Sequence, residues 1–459
     1  MLKYCGALCL FLVTLALSAQ TYNITDYGAV GDGSTLNTTA IQNAINTCFK
    51  NGGGKVIIPR GNFVTGTLLL KDKVILHIKK RGQLLGSTNP LDYKSIDTFV
   101  DATGQERGNC LIGAIDAHHI GIIGKGTIDG NGAAFSYDAI QAKKKALGIA
   151  DTDTTFGTNR PFLLRFVQSS NITLKDVVLK QPGAWTCHFY QSHDIEVKGI
   201  TIYSHANHNN DGIDLDSSYN TSIKNCTIDT GDDAICFKTT SPLPTYAISI
   251  TNCTLKSEWG ALKFGTESMG DFYDIHIKNC KIEDTKGGGI KILSVDGAHI
   301  YDIEISDIEI KNTDMPIFIR LGERLRTYRG APKQTTGTIN NIYISNIKAS
   351  TRNLSESRVN PPSGILITGT PNHRIGKISL DNIQLTVAGG GNEEDTLVTV
   401  AEDEEKYPEF SFFKILPAYG IFARHIDKLQ INTLTIHTRE NDKRKASVFE
   451  DVITKKISN

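Results

Sequence analysis

The chain of 459 residues balances 49 Lys and Arg against 49 Asp and Glu, a formal charge of zero. That balance excludes the basic excess that a nucleic acid or an anionic membrane partner requires, while 42 glycines and 39% hydrophobic residues fit a turn-rich soluble chain. Length alone predicts two or three domains, but the repeats below predict one, over 20–459.

The N-terminus reads as a leader. Lys3 is followed by an apolar run over 7–17 and by Leu17-Ser18-Ala19, too short to span a bilayer, so residues 1–19 are expected to be a signal peptide and the protein secreted or periplasmic. A buried N-terminal helix is the alternative. Apolar residues at helical spacing predict a helix over 39–49, before Gly52-Gly53-Gly54-Lys55-Val56-Ile57-Ile58-Pro59 turns into the first strands. The seven cysteines beyond the leader are odd in number and thin for this length, so no disulfide framework is expected.

From residue 170 the sequence repeats. Short alternating strands begin at Ile172, Ile195, Ser222, Ile248, Ile275 and Ile303, mostly 23 to 28 residues apart, with further copies at Ile342, Ile378 and Leu429. Each alternates Ile, Val or Leu with polar residues, the mark of a strand with one buried face. A unit this short cannot bury that face alone, so successive copies must stack as a solenoid of parallel strands, with the helix at 39–49 capping its open end. Cys226, Cys253 and Cys280 each follow an Asn at a spacing of 27. They are expected as free thiols stacked on successive coils, where no tetrahedral metal cage is available. The repeat is interrupted at about 133–160, 321–338 and 384–425, and long loops on a rigid scaffold tend to carry function.

Two acidic phrases lie one coil apart. Asp211 in Asn209-Asn210-Asp211-Gly212-Ile213-Asp214 precedes Asp232, of Gly231-Asp232-Asp233, by 21 residues, a little under one repeat. Adjacent coils put such side chains on one face, where neighbouring carboxylates raise each other's pKa and divide into acid and base, as glycoside hydrolysis requires. Solvated turns are the bland reading of each phrase taken singly. Beyond them Lys238, Lys263, Glu267 and Lys291 recur at comparable places; a lysine there would grip a sugar carboxylate or merely be solvated. His208 directly precedes the first phrase and would tune or bind the site. Trp185 and Trp259 suit a sugar platform and a core position equally.

These phrases, with Tyr27-Gly28-Ala29-Val30-Gly31-Asp32-Gly33, Gly126-Thr127-Ile128-Asp129-Gly130, Arg160-Pro161 and Trp185-Thr186, make the chain resemble the polygalacturonases, the family 28 glycoside hydrolases. The resemblance implies an all-β fold, a right-handed parallel β-helix, acting on pectic polysaccharide as a monomer with inversion and without metal or organic cofactor. It implies that Asp232 protonates the glycosidic oxygen while Asp211 and Asp233 activate water, with carboxyl separations of about 6.5–9.5 Å.

Two family motifs are broken. Gly-His-Gly corresponds to Trp259-Gly260-Ala261, without its histidine, and Arg-Ile-Lys to Lys291-Ile292-Leu293, with one cation lost. The loss at Leu293 favours a neutral leaving sugar, as in rhamnogalacturonan, unless Arg320 or a neighbouring arginine compensates. The three insertions would wall an open groove into an exo-acting pocket. The rivals are an ordinary polygalacturonase, a Ca²⁺-dependent β-helix pectate lyase and a non-catalytic glycan-binding solenoid.

Overall fold

The computed structural model describes residues 20–150 and 152–458; the leader expected at 1–19 lies outside them. The alternating segments stack coil on coil in one continuous right-handed parallel β-helix. Its register can be followed along single columns. Val197 pairs with Ile223, and the column runs on through Ile250, Ile277, Ile305, Ile344, Leu380 and Ile431. All eight side chains are buried in one core that runs the length of the solenoid, because each coil covers the apolar face its neighbour leaves open.

The turns explain the repeated Asn-Cys phrase. Asn225, Asn252 and Asn279 all adopt left-handed backbone, with φ of 56°, 58° and 54°, a conformation Asn tolerates through its short polar side chain. Their amides form a ladder, Asn279 Nδ2 donating to Asn252 Oδ1 at 2.7 Å and Asn252 Nδ2 to Asn225 Oδ1 at 3.2 Å. The following Cys226, Cys253 and Cys280 point inward as buried free thiols, and Cys48, Cys110, Cys187 and Cys236 are likewise buried and free.

Helix α1 (Thr38–Lys50) caps the first coil with Ile41, Ala44, Ile45 and Cys48 buried. Their i, i+3, i+4, i+7 spacing forms one apolar stripe. The insertion at 133–160 contains a second helix, α2 (Tyr137–Leu147), capped by Ser136 and closed by Gly148 at φ +67°. Among the described strands one pairing is antiparallel: Lys94–Val100 runs back along Glu106–Ile115, forming a hairpin whose turn at 101–105 leans over one face of the solenoid. The other interruptions are loops at 322–337 and 388–417.

Candidate active site

The face beneath that turn is built by Cys187–Tyr190, Ile213–Asp216, Ile235–Thr239, Leu262–Ser268 and Ile290–Ser294. In one column Ile213, Ile235, Leu262 and Ile290 point into the core; in the next Asp214, Cys236, Lys263 and Lys291 point outward. The acidic phrases are the turns that lead into these strands. Asn209 takes left-handed backbone at φ 52° and buried Asn210 ties the turn to the Ser204 carbonyl at 2.6 Å. The Asp211 carbonyl accepts from Thr186 N–H on the preceding coil, and the Asp233 carbonyl from Gly212 N–H, each at 2.8 Å. Coil stacking therefore brings Asp211, Asp232 and Asp233 together, one oxygen of each lying within 4.8 Å of the others.

The three carboxylates differ in their partners. Asp233 is buried and ion-paired to Lys263 at 2.6 Å, and accepts Gly260 N–H at 3.0 Å. Asp232 is half-buried, has no cation within ion-pairing reach among the described residues, and accepts the Asp233 N–H at 2.8 Å. Burial, then the charges of Asp211 and Asp233, hold its carboxyl well above the usual carboxylate range. Asp211 is raised likewise by burial and then by Asp214, against the pull of Lys238. A paired anion beside an unpaired acid is the division of roles that acid–base chemistry needs.

Lys238 lies at 3.5 Å from both Asp211 and Asp214 and 3.4 Å from Glu267, with its ammonium 4.4 Å from the Trp185 ring centroid. Burial works to lower its pKa, and Cys236, Glu267, Asp211 and Asp214 together outweigh it and raise it. Glu267 lies in a register shift: Phe237 pairs with Phe264, but Thr239 pairs with Ser268, so the intervening residues bulge from the strand. Trp185, Asp211, Asp232, Asp233, Lys238, Lys263 and Glu267 line one small cavity.

Three expectations need correction, and His208 falls in an adjoining cavity. Arg320 is buried away from this cavity and donates to Thr368 Oγ1 and to the carbonyls of Gly369 and Glu402; a guanidinium needs that many acceptors once dehydrated, and a buried one is spent on the fold. Lys291 is wholly buried and ion-paired with Glu409 at 2.7 Å, so it anchors the 388–417 loop instead of meeting sugar. Leu293 packs among Met315, Phe318, Leu366 and Phe413, so it faces no subsite and its lost charge says nothing about the leaving sugar. His208 lines a neighbouring cavity, not the one holding the carboxylates. The missing histidine also has a physical counterpart. A side chain at Gly260 would place its Cβ 2.7 Å from Asp233 Oδ1 and 3.2 Å from Lys291 Cδ, space these two groups already fill.

Sequence reasoning missed the roof. Tyr407, from the 388–417 loop, lines the cavity, and burial raises its phenol above its ordinary pKa, leaving it a proton donor. Across the cavity Arg326 donates to the Ala102 carbonyl, and Ala102 N–H donates to Glu267 at 3.4 Å, so the 101–105 turn and the 322–337 loop meet over the site. The only sequence signal for these contacts was the length of the insertions.

A parallel β-helix that gathers an unpaired raised aspartate and a lysine-paired one under a roof of loops defines a solenoid enzyme of acid–base type. The sequence matches the family model of the glycosyl hydrolases family 28 over residues 51–403, and the chain belongs to that family. It is similar to an exo-poly-alpha-D-galacturonosidase of Dickeya chrysanthemi, 35% identical over 48% of this chain and 42% of that protein. It is also similar to a probable polygalacturonase of Vitis vinifera, 30% identical over 49% and 45%. The chain thus spans under half the length of these two curated relatives. In fold it is similar to a family 28 exopolygalacturonase of Yersinia enterocolitica, with a TM-score of 0.71 at 22% identity over 96% of this chain and 78% of that one. A hyperthermoactive exopolygalacturonase of Thermotoga maritima gives 0.70 at 21% identity, over 91% and 92%.

Proposed function

We propose that this protein hydrolyses α-galacturonosyl linkages of pectic polysaccharide, acting from a chain end. The observation that carries the reading is the cluster of Asp211, Asp232 and Asp233, in which Asp233 and Asp211 each have a lysine within ion-pairing reach and Asp232 has none among the described residues. Asp232 gives its proton to the glycosidic oxygen, and Asp233, paired with Lys263, draws the proton from an attacking water that Asp211 helps to hold. Lys238, on the cavity wall, meets the galacturonate carboxylate. The exo mode is supported by the meeting of the 101–105 turn and the 322–337 loop through the Arg326 contact with Ala102, a residue of the cavity lining.

Family membership favours inversion of the anomeric centre by direct attack of water over retention through a glycosyl-enzyme intermediate. Proton NMR of the first product separates them. Early β-anomer is the outcome for inversion; early α-anomer would sink it. For the mode of attack, polymer viscosity should fall slowly as reducing ends accumulate, and a rapid fall at low conversion would mean endo cleavage. A rhamnogalacturonan-type chain finds no support at Leu293; its support is the neighbouring cavity.

A further inference from the structure

We propose that the cavity bounded by the 101–106 segment, α2 and His208 is a subsite for an uncharged sugar, adjoining the galacturonate bound at the carboxylates. The proposal rests on the glycosidase reading above and names the substrate class for it. The cavity measures about 630 Å³, within the range of small-ligand sites. It shares two walls with the catalytic cavity. Asp101, Ala102 and Thr103 line the carboxylate side while Gly104, Gln105 and Glu106 line this one, and Asn209 and His208 divide in the same way. Arg160 forms the partition, donating through Nη2 to Asn209 Oδ1 at 2.8 Å and Gln105 Oε1 at 3.3 Å, and through Nη1 to the carbonyls of Gly183 and His208. A glycan leaving the carboxylate cavity on this side passes directly into the second.

The lining decides which sugar fits. Phe135, Ile140 and Phe156 supply apolar wall, with Tyr137 exposed at the side. Two carboxylates line it: Glu106, and Asp153, which accepts from Thr155 N–H, Thr155 Oγ1 and Phe156 N–H. The described cations at the wall are already engaged. Arg160 has four acceptors, and buried Lys144 donates to the Asp153 carbonyl. His208 is held below the usual imidazole pKa by burial and then by Arg160 and Arg107, so it is neutral near pH 7. A galacturonate here would set its carboxylate against Glu106 and Asp153 with no free cation in answer, whereas a 6-deoxyhexose such as rhamnose carries a methyl group that suits the apolar wall. A chain alternating galacturonate with a neutral sugar satisfies both cavities at once.

The test uses the full protein on defined oligosaccharides that share a cleavable galacturonosyl bond and differ in one flanking sugar, rhamnose or galacturonate, placed on either side of that bond. On one side the rhamnose series should be cleaved with a kcat/KM at least about tenfold higher. Glu106→Lys, an exposed change, should shift that ratio toward galacturonate by about tenfold, mainly through KM. Tyr137→Ala should raise KM for the rhamnose series more than for the galacturonate series. A wild type that prefers galacturonate on both sides, or a ratio that Glu106→Lys leaves unmoved, overturns the subsite while leaving the glycosidase reading intact. Hydrolysis of none of the oligosaccharides overturns both.

Discussion

Asp214 sits in the column outside the core, wholly buried, with Lys238 3.5 Å from one of its oxygens and neither oxygen hydrogen-bonded. Around it Asp211, Glu267 and Asp214 itself share the one ammonium of Lys238. Three buried carboxylates cannot all stay ionised beside one cation. Burial first, then Asp233 and Glu267, push the Asp214 carboxyl up to about 8 against the opposing pull of Lys238. At neutral pH it is therefore an uncharged acid behind Asp211 and Asp233, and Asp214→Asn, a neutral near-isostere, should keep most of the activity while Asp214→Ala loses much of it. Equal losses in the two variants, read as kcat across pH 5–8, would mean that Asp214 works as an anion. The folded chain holds this proton up to about pH 8, whereas the unfolded chain releases it near ~4. Stability from this group is fully present below the unfolded pKa and falls as pH rises toward 8, by on the order of 1 kcal/mol per pH unit. Asp214→Asn should flatten that slope in denaturant titrations at pH 5 and pH 8. Asp232→Asn, which removes the proton donor, should cost about 10²–10⁴-fold in kcat with an unchanged unfolding midpoint; activity above about a hundredth of wild type would take the acid role from Asp232.

At the scale of elements, the 388–417 loop is pinned to the solenoid by Lys291 and Glu409, 118 positions apart, both nearly inaccessible to water. Removing one partner leaves a buried uncompensated charge, a loss of about 3–5 kcal/mol. Glu409→Ala should therefore expose the loop to limited proteolysis and raise KM, because Tyr407 leaves the cavity with it. Replacing both partners, Lys291→Met with Glu409→Leu, should recover most of the lost stability, since a well-packed apolar pair avoids the desolvation of two charges. If the double variant is as unstable as Glu409→Ala, the loop is held by contacts other than this pair.

The described residues are dominated by stacked coils, and their seven thiols are all buried and unpaired. A disulfide-free solenoid draws its stability from nearest-neighbour burial, repeated coil by coil. Thiol reagent should accordingly leave Cys48, Cys110, Cys187, Cys226, Cys236, Cys253 and Cys280 unmodified in the native protein and label all seven in denaturant. Rapid labelling of the native protein would show that its coils open locally.

What was legible in the sequence was whatever repeats or lies close in the chain. The spacing of Cys226, Cys253 and Cys280 determined the coil, because period-two strands can bury one face only by stacking. The distance from Asp211 to Asp232 determined the catalytic face, because one coil returns the chain to the same side. Lys238, Lys263 and Glu267 followed with them, carried by the same strands. Tertiary structure alone decided the fates of Arg320, Lys291 and Leu293. Whether a cation on a strand meets substrate or a buried carboxylate depends on which loop covers it, and those loops arrive from far along the chain. Glu409 consumes the charge of Lys291, Gly369 and Glu402 consume that of Arg320, and an apolar cluster takes Leu293. Only the fold could set Tyr407 and Ala102 over the carboxylates, since insertions outside the repeat carry no periodicity from which their landing place could be read.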